Sequence, residues 1–158
     1  LAYLRTLNLP EVGPQSTVGD AVNGKRLFER LCRSCHAVHG EGGLLGPDLS
    51  RIGSARPRSA LIDKIRTGGR MRDGYETVTL VTTAGGRIRG IRKNEDDFSI
   101  QIMDARERLR GYLKRDLAQV VYEPRSLMPA YGAAQVSERE LDDLLGYLGT
   151  LRVRTESR

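Results

Sequence analysis

The stretch LCRSCHAVHG, Leu31 to Gly40, holds both cysteines and both histidines of this 158-residue chain. Cys32-Arg33-Ser34-Cys35-His36 places two thiols on either side of a two-residue spacer, with an imidazole directly after. Four chemistries use such groups. A disulfide between Cys32 and Cys35 would close so short a loop that it removes little chain entropy and stabilises little. A thioredoxin-like redox pair wants a βαβ setting, and the residues before Cys32 read as helix. A zinc site needs four ligands, commonly in two separated pairs, and here every Cys and His falls between Cys32 and His39. Covalent haem attachment uses every group present: each thiol adds to one porphyrin vinyl, the spacer sets both thiols on one turn, and His36 falls under the iron.

The flanks of so short a pattern decide between these. GKRLFERLCRSCHAVHGEGGLLGPDLSRIG, from Gly24 to Gly53, resembles the N-terminal half of a class I c-type cytochrome. Gly24 and Phe28 lie on the helix before the cysteines, a Gly-rich loop follows, and Gly46-Pro47-Asp48-Leu49 matches the family's Gly-Pro-x-Leu. The resemblance implies one haem c per chain, with Cys32 and Cys35 as thioethers and His36 as proximal iron ligand. It implies that the Pro47 carbonyl accepts a hydrogen bond from the other ring nitrogen of His36, fixing the ring and raising its basicity. The bland alternative for Pro47 is a turn residue.

The family places a Met opposite the His, in a segment reading Met-Pro followed by an aromatic. Met128 in SLMPAYG fits, with Pro129 behind it and Tyr131 close by. Met71 in GGRMRDG competes, but Arg72 stands where Pro is wanted; Met103 in SIQIMDA reads as a strand residue of a core. His39 reads as a loop surface residue. Arg66 and Arg70 are candidate propionate partners, against the blander reading of solvated arginines. Tyr75 and Tyr131 are candidates to bond a propionate or close the distal side, against the blander reading of packing.

Three helices must position these groups. The first is expected over Val22–Cys32 with Leu27, Phe28 and Leu31 on one face, the second over Arg58–Thr67 with Leu61, Ile62 and Ile65 inward. Gly68-Gly69 ends the second. The last begins at Ser137, where SERE forms a capping box and Leu141, Leu144, Leu145, Leu148 and Leu151 form a stripe. The family crosses its first and last helices, so Gly24 and Phe28 should meet Tyr147 and Leu148.

Between Met71 and Arg125 the pattern changes to alternating, β-branched runs separated by turn residues. Strands are expected over Glu76–Thr83, Arg87–Lys93, Phe98–Asp104, Arg108–Leu113 and Val120–Tyr122, with a short helical turn in KRDLAQV. Excising the run leaves IRTGGR joined to SLMPAYG, an ordinary cytochrome sequence. The expected fold is a mostly α cytochrome c fold, three to four helices around haem, with an inserted small β-barrel or β-sheet subdomain, SH3-like or Sm-like, α+β in all. The expected divisions are 1–18, an N-terminal helix remnant and linker; 19–70 with 126–152, the haem domain; and 71–125, the insert. GGRIRG and RDLAQVVYEPRSLMP extend the resemblance to the haem-binding domain of large multidomain proteins in planctomycetes and acidobacteria. Leu1–Leu7 matches Leu145–Leu151 at five of seven positions, which suggests the end of a preceding, similar domain, or a surface helix.

The chain is aromatic-poor at 5% with no Trp, and would gain from a large apolar cofactor. No run is long enough to cross a membrane. The start lacks Met and a basic n-region, as a processed or excised chain would. The net charge is +6, and Leu1–Asp73 carries 12 Lys/Arg against 7 Asp/Glu. The excess forms no stripe, so nucleic-acid binding is not expected; an acidic docking face on a redox partner is. The function expected is one-electron transfer rather than enzymatic turnover, with His36 and Met128 on the iron, relayed within or to a larger respiratory or dehydrogenase system, in the periplasm or an equivalent compartment. The alternatives are a haem-bearing docking module next to another haem or dehydrogenase domain, or a sensor or peroxidase-like protein if Met128 leaves the iron.

Overall fold

The computed structural model describes residues 19–68 and 75–153. Arg70, Met71 and the Leu1–Leu7 match lie outside the described residues.

Helix α1 spans Ala21–Leu31. Asp20 caps it, its carboxylate accepting from the Val22 N–H at 2.8 Å, so a first-turn donor is satisfied. Gly24, Leu27 and Phe28 recur at helical spacing and are buried. Their partner is α4, Glu138–Thr150. Both halves of the Ser137/Glu140 capping box form there, and Leu141, Leu144, Leu145 and Leu148 are buried along one stripe. A Cβ on Gly24 would stand 2.0 Å from the Asp143 carbonyl oxygen, so the two backbones touch where the helices meet. The Phe28 and Tyr147 rings pack beside that point, 5.5 Å between centroids and tilted by 52°. Asp143 is buried, yet its carboxylate accepts from the Asp20 N–H at 2.7 Å and the Asn23 side chain at 2.8 Å. These bonds hold its pKa below the usual carboxylate value and tie the start of α1 to α4.

The chain after α1 forms a two-stranded ribbon, β1 (Ala37–Val38) against β2 (Glu41–Gly42). Helices α2 (Ile52–Ala55) and α3 (Arg58–Thr67) follow. Leu61 and Ile65 of α3 face the core shared by α1 and α4. Gly68 ends α3 in the left-handed conformation, φ +78°, which glycine adopts without penalty.

Five antiparallel strands come next: β3 (Thr77–Thr82), β4 (Arg87–Glu95), β5 (Ser99–Asp104), β6 (Leu109–Leu113) and β7 (Leu117–Tyr122). Their order in the sheet is β6-β5-β4-β3-β7: a meander whose last strand returns to the first, with β6 and β7 at the edges. The short helical turn is a single 3-10 turn, Lys114–Asp116, and β7 starts immediately after it rather than at Val120. The early start follows from pairing: Thr82 of β3 has Leu117 as its partner, across a register shift at Val81/Thr82. Val78, Leu80, Ile100 and Ile102 fill a core of their own, distinct from the helical one. The fold is therefore four helices with an inserted five-stranded sheet. Among the described residues no helix is long and apolar enough to cross a membrane.

The sheet leaves and re-enters the helical part at one spot. A Cβ on Gly68 would lie 2.7 Å from the Met128 carbonyl oxygen. The Tyr131 N–H donates to the Ile65 carbonyl at 2.9 Å. The end of α3 thus packs directly on the segment after the sheet.

Candidate functional site

Helix α1 ends at Leu31, and the chain turns on itself through the cysteines. The N–H groups of Cys35 and His36 both donate to the Cys32 carbonyl, at 3.1 and 2.9 Å, so Cys32, Cys35 and His36 share one tight turn. The two cysteines are not bonded to each other and are half-buried. Burial, with Cys35 alongside, pushes the Cys32 thiol up to about 11. The cysteine turn follows helix α1, which is not the βαβ setting of a thioredoxin-like pair. Among the described residues no group of three or more His, Cys, Asp or Glu is placed to hold a metal ion.

The loop after His36 folds back under it. The Gly43 N–H donates to the Arg33 carbonyl at 2.9 Å, and the Gly46 N–H to the Cys35 carbonyl at 2.6 Å. A Cβ on Gly46 would stand 2.5 Å from His36 Cε1, so only a glycine lets the backbone lie against the imidazole. His36 Nδ1 lies 2.8 Å from the Pro47 carbonyl oxygen. A carbonyl can only accept, so Nδ1 carries the proton and Nε2 keeps its lone pair. Burial lowers the His36 pKa, with the Pro47 bond acting in the opposite direction. The neutral ring is the form that binds iron. The donor set suits a haem: two thiols on one turn, an oriented neutral imidazole beside them, and a half-buried thioether, Met128, against the same core as Cys32.

Met128 sits in the segment that α3 grips. Its N–H donates to the Ser126 hydroxyl at 3.1 Å. Arg66 Nη1 donates to the Tyr131 and Val136 carbonyls at 2.9 and 2.6 Å, and Nη2 to the Glu138 carboxylate at 2.7 Å. These bonds hold the Met128 segment against α4 and occupy three of the five guanidinium N–H donors of Arg66. Tyr131 donates its one hydroxyl proton to the Leu31 carbonyl at 2.9 Å. It packs against the core beside the two thiols. Met103 lies on β5 and His39 on an exposed turn, its N–H held by Ser50 at 2.7 Å. The Tyr75 ring faces Lys93, whose Nζ is 4.8 Å from its centroid.

Sequence reasoning missed two residues. Glu107, on the turn between β5 and β6, accepts the Leu44 N–H at 2.8 Å. Gly43 was passed over as loop, yet a Cβ there would stand 2.2 Å from the Ser34 carbonyl oxygen. A glycine doublet is the local signal for Gly43; nothing local marks Glu107.

An oriented proximal His, two adjacent thiols and helices meeting at Gly24 define a c-type cytochrome, and the family model for cytochrome c matches residues 21–152. The chain belongs to the cytochrome c family. It is 26% identical over 134 residues to cytochrome c-554(547) of Halothiobacillus neapolitanus, an alignment covering 85% of this chain and 99% of that protein. Membership implies one haem c on the two cysteines, and electron transfer as the activity.

Proposed function

We propose that this chain is a one-electron carrier whose haem c is attached through Cys32 and Cys35 and ligated by His36 and Met128. The haem, when bound, supplies a ferric/ferrous couple. The observation that carries this reading is the His36–Pro47 hydrogen bond of 2.8 Å, which leaves Nε2 as the one ring nitrogen able to face a metal. Each part of the chain has a task around it. Gly46 and Pro47 orient the imidazole and increase its electron donation. Arg66, Gly68 and Tyr131 hold the Met128 segment in place. A thioether opposite an imidazole favours ferrous iron relative to two imidazoles and so raises the potential. Two protein ligands leave no coordination position for substrate, which suits relay rather than turnover.

The partner is a redox protein with an acidic docking face, steered by the surplus of cations on the half of the chain that carries the cysteines. The chain serves a larger respiratory or dehydrogenase system. Because c-type haem is attached outside the cytoplasm, we infer a periplasmic or equivalent location.

The test is the visible spectrum of holo protein and of Met128→Ala. Loss of the thioether–iron charge-transfer band in the variant, with haem still covalently bound, is the expected result. An unchanged spectrum would remove Met128 as a ligand and favour a sensor or peroxidase-like function.

A further inference from the structure

A side chain of the inserted sheet, Glu107, reaches the haem-attachment loop. Asp104 and Arg108 close the β5–β6 hairpin, and Ala105-Arg106-Glu107 form its three-residue loop. The Glu107 N–H donates to the Asp104 carbonyl at 2.9 Å, and Glu107 has φ +59°. The third position of such a loop takes the left-handed conformation and is ordinarily glycine. A side chain there is unfavourable, and this loop carries a glutamate. Its carboxylate reaches out of the hairpin, accepts the Leu44 N–H at 2.8 Å, and lies against Gly43.

Gly43 and Leu44 are not a remote surface. Gly43 is buried against the Arg33–Ser34 backbone, the spacer between the two cysteines. Two residues beyond Leu44, Gly46 lies on the imidazole face, and Pro47 fixes Nδ1. A tether at Leu44 therefore acts on the backbone that orients His36. The glutamate relinquishes the backbone preference of its own hairpin and gains a contact in another part of the molecule.

We propose that Glu107 is a positioning residue for the haem: the sheet is a brace, and Glu107 is the point where it holds the Gly43–Pro47 loop against the cysteine turn and His36. This rests on the reading of His36 as the proximal ligand. It gives the sheet a role in setting the properties of the iron, through Leu44, Gly46 and Pro47 in turn. Charge alone would make a different prediction, because a carboxylate near the haem stabilises ferric iron wherever its hydrogen bond goes.

The experiment uses the full holo chain with Glu107→Gln and Glu107→Gly, and reads two quantities: hydrogen exchange at the Leu44 and Gly46 amides, and the reduction potential. Glycine suits φ +59° and so relaxes the hairpin while removing the tether. Glutamine keeps an acceptor oxygen and removes the charge. A hydrogen bond to a charged group is worth enough that Glu107→Gly should speed Leu44 exchange about tenfold or more. Its potential should rise further than that of Glu107→Gln, which should stay closer to wild type in exchange. Equal potential shifts in both variants with unmoved exchange would assign the effect to charge and overturn the brace, as would no change at all. Failure of the carrier reading is separable: it would show as wild-type protein without covalently bound haem or without a His-ligated spectrum.

Discussion

His36 is given little freedom. One ring nitrogen is held by Pro47, one face is covered by Gly46, and the turn is closed from both sides by backbone bonds. The cysteines, the histidine and Pro47 were legible in the sequence because their relation is local: eleven positions separate His36 from Pro47. The bonds of Arg66 to Tyr131, Val136 and Glu138 were not legible, because these partners lie 65 to 72 positions away and two of them are backbone carbonyls that no sequence pattern marks. Its geometry makes a prediction at this scale. Arg66→Ala should retain covalent haem but loosen the Met128 segment, so that added imidazole or cyanide binds about tenfold more tightly, a difference of about 1.4 kcal/mol. Ligand titration followed in the visible spectrum checks this; unaltered affinity would show that the segment holds without the guanidinium.

At the scale of elements, α1 and α4 form the frame, and they were readable from their apolar spacing and, for α4, from its capping box; the Asp20 cap of α1 was not read. The crossing of that frame is specific. Asp143 binds the start of α1, and Gly24 lets the helices touch. Gly24→Ala should cost about 3 kcal/mol, the upper end of overpacking, because the clash is with main chain that cannot rotate away. Thermal unfolding of the variant should show a clearly lowered midpoint, and a midpoint within a degree of wild type would mean the helices slide apart freely. The strands were also legible, from their alternation, but their ends were not. β4 runs on to Glu95, where turn residues had suggested an end at Lys93, and Asn94 and Glu95 pair with Gln101 and Ile100 across a bulge. Pairing, a non-local property, overrides turn preference there.

For the molecule as a whole, carboxylates fasten the sheet, as Asp143 fastens the helical frame. Glu123, just beyond β7, accepts from Arg89 on β4 and Thr79 on β3, each at 2.8 Å, and Arg89 in particular holds its pKa down at about 2. Asp104 is held at about 2 by the Arg108 N–H foremost. A carboxylate whose folded pKa is depressed stabilises the fold above its unfolded pKa, near 4.5 for Glu123, and that stability fades as pH falls toward 2. Acid should therefore weaken the sheet over this window, and Glu123→Gln should flatten the dependence. Circular dichroism of both proteins from pH 5 to about 2 tests it; identical profiles would deny Glu123 the role. That a sheet is inserted was legible from the change of hydrophobic period. What could not be read was that Gly68 and Met128 touch, or that Glu107 reaches the haem loop, since each depends on where the chain returns.

The tie between Asp20 and Asp143 spans 123 positions. Along the chain, the Cys32–His36 turn comes well before the helix that covers Leu27 and Phe28. Throughout translation of the intervening residues, α1 has no α4 to lie on. Every strand of the sheet has met its neighbour before then, because β7, the last, precedes α4. The order of elements thus lets the sheet close before α1 can meet α4.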